Sequence, residues 1–253
     1  MPNTKMIFMQ ACAQDDAPTV ASMLGRGIDP NTFDEHHTAL TIAAACGSVK
    51  CVELLLSAGA DALAYAGPVN YTALILAASQ GHTDCITALL PHSDANASDA
   101  MGINALMAAA CNGHTASCAA ILPFCDPLAR DQNESDALCI AVMHGKNECA
   151  KFLMSVCDPL STGSDGVTAL MIAAANGNME MVDELLPVSD AHAVDNDGDN
   201  ASAIAMGKGE AGAAMLIEAH LDAKALCESF SQLLAKSNPT PPKPSASKSR
   251  RPG

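Results

Sequence analysis

The chain has no tryptophan, and its two Tyr and five Phe make aromatics only 3% of 253 residues. Nucleic-acid and sugar readers that stack their ligands on aromatic platforms are therefore not expected. Basic residues are scarce too: 13 Lys and Arg stand against 28 Asp and Glu, a formal charge of -15. A body of that sign repels backbone phosphates and anionic lipid, so neither nucleic acid nor membrane is expected as a partner. No apolar run approaches the ~18 residues of a membrane span. The apolar stretch Met6-Ile7-Phe8-Met9 is too short for the core of a secretory leader. The 11 cysteines include no C-x-x-C pair, and an odd set spread over helical segments implies free thiols in a reducing cytoplasm. G-x-S-x-G, H-E-x-x-H and phosphate-cradling glycine loops are all missing.

What the sequence does have is a repeat. Thr38-Ala39-Leu40 recurs as Thr72-Ala73-Leu74, Asn104-Ala105-Leu106, Asp136-Ala137-Leu138 and Thr168-Ala169-Leu170, and decays to Asn200-Ala201-Ser202. The steps are 34 residues once and 32 thereafter. Nine residues on comes a glycine each time: Gly47, Gly81, Gly113, Gly145, Gly177 and Gly209. Eight further on an aliphatic pair follows, as in Leu55-Leu56, Leu89-Leu90 and Leu185-Leu186, with only half of it left at Ile217-Glu218. Met23-Leu24 marks a degenerate leading copy.

One unit is readable as two helices. Thr, Asn or Asp caps the first, its side-chain oxygen taking an orphan N–H of the opening turn. The Ala-rich run that follows propagates helix and lets neighbours approach closely. Glycine ends it, and a second helix follows with apolar residues at helical spacing, such as Val49, Val52, Leu55 and Leu56. An Asp-bearing turn, an extended stretch and a tight turn such as Asp195-Asn196-Asp197-Gly198 lead to the next unit. A lone helix pair cannot bury its apolar face, so stacking must supply the core.

The T-A-L, the Ala pair, the Gly, the Leu-Leu and Gly59-Ala60-Asp61 together resemble the ankyrin repeat family, most completely over Thr38 to Asp61. The resemblance implies an all-α repeat solenoid of stacked helix-turn-helix units with short β-hairpin tips. It covers about seven copies, with residues 1–222 as the repeat domain and polar end copies bearing Asp15-Asp16 and Glu210, Glu218 and Asp222. Two departures stand out. Ala replaces the family's proline after Thr, and Thr41, Ile75, Met107, Cys139 and Met171 replace its histidine after Leu. Apolar packing is expected to take the place of that histidine's bond between repeats. Residues 223–236 are expected to form a further capping helix, with Leu226, Phe230, Leu233 and Leu234 as its contacts. Residues 237–253 hold five Pro, four Ser and a charge of +4, which leaves -19 on the rest and reads as a disordered basic tail.

Candidate chemistry is sparse. Asp195 to Asn200 has the alternating oxygens of a calcium loop, but its glycine falls at the wrong position and Met206 stands where the closing Glu belongs. It is expected to be a polar turn. Phased cysteines read as small core residues, and His82 and His114, in the family's Gly-His slot, as structural. No catalytic residue, cofactor or metal is expected.

In the family, partners meet the hairpin tips and the exposed ends of the first helices. Carried over by position, the tips offer Met101, Gln132, Asn133, Asp165 and Asp197. The residue before each T-A-L slot contributes Tyr71 and Ile103. The helix ends contribute Gln80, Asn112, Met143, His144 and Asn176. Tyr71, Met101, Ile103 and Met143 are apolar where solvent would favour polar residues, marking a central patch. The expectation is a non-enzymatic, monomeric, cytoplasmic scaffold that grips another protein, one with a basic surface because acids crowd the rim. The alternative is a translocated bacterial effector that binds a host protein, with the tail as its address.

Overall fold

The computed structural model describes residues 4–237. Of the basic tail, Ser237 closes the last helix and residues 238–253 lie outside the described residues.

Seven helix pairs follow one another along the described chain. They are α1 (Thr4–Ala13) with α2 (Ala17–Gly25), α3 (Ala39–Ala45) with α4 (Val49–Ser57), and α5 (Ala73–Gln80) with α6 (Thr83–Leu89). Next come α7 (Ala105–Asn112) with α8 (Thr115–Ile121) and α9 (Ala137–Met143) with α10 (Asn147–Leu153). Then α11 (Ala169–Ala175) pairs with α12 (Met179–Leu185), and α13 (Ala201–Lys208) with α14 (Ala211–Ser237). First helices pack on first helices and second on second, α3 on α5 on α7 and α4 on α6 on α8, giving two rows in a solenoid.

Local chemistry places the starts of the first helices and several of the stops. Thr38, Thr72, Asn104, Asp136, Thr168 and Asn200 each accept the backbone N–H three residues on, at 2.9 to 3.3 Å. At Thr38 the cap closes in both directions, because the Thr41 hydroxyl accepts the Thr38 N–H at 2.9 Å. Gly81 ends α5 at φ 75°, where a Cβ would also sit 2.6 Å from the His114 ring of the next unit. Both conditions require glycine. Leu90–His92 and Leu122–Phe124, each with proline inside, wind into single 3-10 turns that terminate α6 and α8.

The core lies between the rows. Ala43, Ala44, Ala77, Ala109, Ala141, Ala173 and Ala205 are fully buried on the first helices. Leu55, Leu89, Ile121, Leu153, Leu185 and Ile217 are fully buried on the second helices. Each of these aliphatic side chains contributes about 2 kcal/mol on burial, and each repeat draws that from its neighbours. The slot after T-A-L is likewise buried: Ile75, Met107, Cys139 and Met171 fill it with apolar packing, and Thr41 with a hydroxyl turned back onto its own cap. Histidine still bonds repeat to repeat, but from the Gly-His slot: His82 Nε2 lies 3.1 Å from Ala45 O, and His114 Nε2 lies 3.2 Å from Ser79 O.

The β-hairpin tips are single antiparallel bridges, at Phe33 and Thr38, Ala66 and Tyr71, Ser98 and Asn104, Thr162 and Thr168, and Val194 and Asn200. Tip is tied to tip. Ala100 N donates to Val69 O, Gln132 N to Met101 O, Ser164 N to Asn133 O and Asn196 N to Asp165 O, at 2.8 to 3.0 Å.

The ends differ from the expected picture in two respects. Asp15 is more than a solvated end residue, since its Oδ1 accepts the Cys51 N–H at 3.1 Å and joins the first unit to the second. Residues 223–236 are not a separate helix but the far half of α14, which runs unbroken from Ala211. No glycine or proline lies between Gly212 and Ser237 to stop it. Leu226 is 72% exposed there, and the side chains of Phe230, Leu233 and Leu234 lie outside the described residues.

Candidate partner-binding site

The tips and the C-terminal ends of α5, α7 and α9 enclose a groove of about 580 Å³. Two features of the sequence build it. Asp99 and Asp131 shape their tips by accepting two backbone N–H groups each: Asp99 Oδ1 from Met101 and Ile103 at 2.8 and 2.9 Å, Asp131 Oδ1 from Asn133 and Ser135 at 2.9 Å. The Ala-rich first helices hold their side chains low, so the apolar groups at their ends remain open to the groove.

Eight of the twelve expected residues line this one groove: Tyr71, Gln80, Met101, Ile103, Asn112, Asn133, Met143 and His144. Tyr71 and Ile103 are half-buried with their inner faces against the core. Met101 and Met143 are 51% and 49% exposed and form its flexible apolar rim. The other four lie elsewhere. Gln132 reaches back along the tips and donates from Nε2 to Ala100 O at 2.6 Å. Asp165 and Asp197 sit exposed at later tips, and Asn176 donates from Nδ2 to Met143 O at 3.3 Å, bracing the helix end beside the groove.

The groove also contains residues that the tip-and-end rule passes over. Ile75, Leu76, Ala108 and Ile140 form its floor, and Asp99 and Asp131 its acidic wall. Only the helical phase of the first helices, read three to five residues back from each end, points to that floor.

Elsewhere the candidate chemistry is occupied by structure. Asp195 Oδ1 accepts the N–H groups of Asp197 and Asp199 at 3.0 and 2.9 Å, shaping the turn. Among the described residues no three His, Cys, Asp or Glu side chains are grouped to hold a metal. All 11 cysteines are free thiols. Burial pushes Cys12 and Cys157 up to about 12 and Cys85 to about 11, which keeps them protonated and poorly nucleophilic. Among the described residues no helix is long and apolar enough to cross a membrane.

A comparison with curated proteins finds no match to the chain. A family model described as ankyrin repeats matches it three times, over residues 2–66, 63–131 and 138–226. Those matches span most of the sequence and run along the same succession of capped helix pairs and bridged tips, and on that basis the chain belongs to the ankyrin repeat family.

Proposed function

We propose that the chain is a monomeric, non-catalytic scaffold that binds one partner protein in the groove spanned by Tyr71, Met101, Ile103 and Met143. Ankyrin repeats are generally protein–protein interaction modules and typically non-catalytic. The observation that carries the reading is the open apolar surface itself. Two half-exposed methionines rim a concave groove whose floor is aliphatic and whose edges are polar, the layout of an interface core with its rim. Asp99 and Asp131 on the wall, and a charge of -19 outside the tail, favour a partner with a basic surface.

The test is the joint replacement Met101→Asp, Ile103→Asp and Met143→Asp. Three charges in the groove reduce partner capture at least about tenfold, since central apolar contacts carry most of the energy of such interfaces. Circular dichroism verifies that the solenoid is intact. Undiminished capture by the folded triple variant removes the groove from the interface. The effector alternative uses the same groove and adds the basic segment 237–253 as an address, so deletion of that segment separates the two: unchanged location supports the scaffold.

A further inference from the structure

The second helices carry cysteine in phase with the repeat: Cys51, Cys85 and Cys149 each stand four residues after the glycine. The fourth repeat breaks the phase, with Ser117 in that slot and Cys118 one residue on. The exchange re-aims both groups. Ser117 Oγ faces the preceding repeat, 3.1 Å from Thr83 Oγ1. Cys118 faces the following repeat, and its Sγ lies 3.5 Å from Cys149 Sγ. Both residues are buried, at 0% and 1% exposure. Among the described residues no other pair of sulfurs is in hydrogen-bonding contact.

We propose that Cys118 and Cys149 form an oxidisable dithiol, a covalent latch between the fourth and fifth repeats directly behind the groove. The sulfurs need to close from 3.5 Å to the roughly 2.05 Å of a disulfide, a small approach of α8 toward α10. Their shared hydrogen bond divides the roles. It holds Cys149 below the ordinary thiol value, with help from the Thr115 hydroxyl, and holds Cys118 above it. Cys149 is therefore the first to ionise and the attacking sulfur. The oxidant is hydrogen peroxide, small enough to enter during local opening of the helix row. The Cys149 thiolate attacks one peroxide oxygen, the O–O bond breaks, and hydroxide leaves and becomes water on taking up a proton. The Cys118 sulfur then displaces the sulfenic oxygen; the S–S bond forms, the S–O bond breaks, and the Cys118 proton leaves with that oxygen as a second water. Two thiols lose two electrons and two protons, and peroxide is reduced to two waters. Cys46 and Cys227, exposed and without a partner thiol in contact, supply internal controls for reaction without pairing. The latch lies where α8 supports α7 and α10 supports α9, the two helices whose ends carry Asn112 and Met143 into the groove.

The test treats the reduced full-length protein with hydrogen peroxide, alkylates it in denaturant and maps tryptic peptides without reductant. Peptide 147–151 contains Cys149 as its single cysteine, and peptide 51–130 contains Cys118. The expected product is these two peptides joined, two hydrogens lighter than their sum and separable by dithiothreitol. The link disappears in Cys118→Ser and in Cys118→Ala but persists in Cys125→Ser. Recovery of peptide 147–151 alkylated and unlinked, at peroxide concentrations that oxidise Cys46 and Cys227, overturns the proposal. So does a link that survives both Cys118 variants. Should those variants not fold, fragmentation of the wild-type linked product decides, because it either places the bond on Cys118 or on another cysteine of peptide 51–130.

Discussion

Glu134 stands at the tip position that Gly102, Gly166 and Gly198 hold in neighbouring repeats, and it adopts the same left-handed backbone, φ 57°. A side chain there costs about 1 kcal/mol that glycine does not. Glu134→Gly should therefore raise stability by about 1 kcal/mol in urea unfolding with little change in slope, and Arg130 keeps its bond to the Glu134 carbonyl because that bond is to the backbone. Asp136 offers a second case. Its Oδ1 caps α9, but Oδ2 is buried without a partner, in a slot that Thr fills at residues 38, 72 and 168. Asp136→Thr retains a capping oxygen and removes the orphan, so the expected change is a stabilisation of about 1 kcal/mol, seen as a higher melting temperature. The caps were legible in the sequence because an oxygen on Thr, Asn or Asp reaches the third N–H whatever surrounds it. The strain at Glu134 was not, because it shows only once the tip's backbone angle is known.

At the scale of helices, the short elements were legible because each carries its own stop signal, glycine after the first helix and proline after several of the second. The far end of α14 was not, because it carries none: a reading by repeat phase divides at residue 222 what the backbone continues. Contacts between second helices were equally hidden. Lys151 on α10 lies 2.6 Å from Glu180 and 3.4 Å from Glu184 on α12, and 3.9 Å from Glu148 on its own helix. Hydrogen bonds from Lys151 and then Asn147 hold the Glu180 carboxyl below its ordinary value. A carboxylate lowered in the folded state stabilises at pH above the ordinary Glu value of about 4.3 and loses that contribution as pH falls through the folded value. Glu180→Gln should flatten the acid limb of a melting-temperature profile below about pH 5, and salt should shrink the difference, since the pair is exposed. Thermal melts from neutral to acid pH check both.

For the molecule as a whole, stability is a sum over neighbours, and the end units have one neighbour instead of two. Amide hydrogen exchange should therefore be slowest in α7 and α9 and fastest in α1, α2 and the distal half of α14, as read by mass spectrometry of the native protein. Uniform protection along the chain would contradict a nearest-neighbour solenoid. The groove was partly legible for the same reason. Tyr71, Met101, Ile103 and Met143 stand out in sequence as apolar residues at exposed positions of the repeat. The floor at Ile75 and Ile140 belongs to the core pattern and declares itself only when three units are stacked. Gln132 and Asn176 read as contact residues by their positions at a tip and a helix end, but their amides are committed to neighbouring carbonyls.

The tip-to-tip bonds all run one way, from the amide of a later unit to the oxygen of an earlier one. That edge therefore has a sense of direction and a fixed pitch. Copying or excising a whole 32-residue module in the genetic message hands each new junction a matching donor and acceptor, so such an array can lengthen or shorten during evolution without being redesigned.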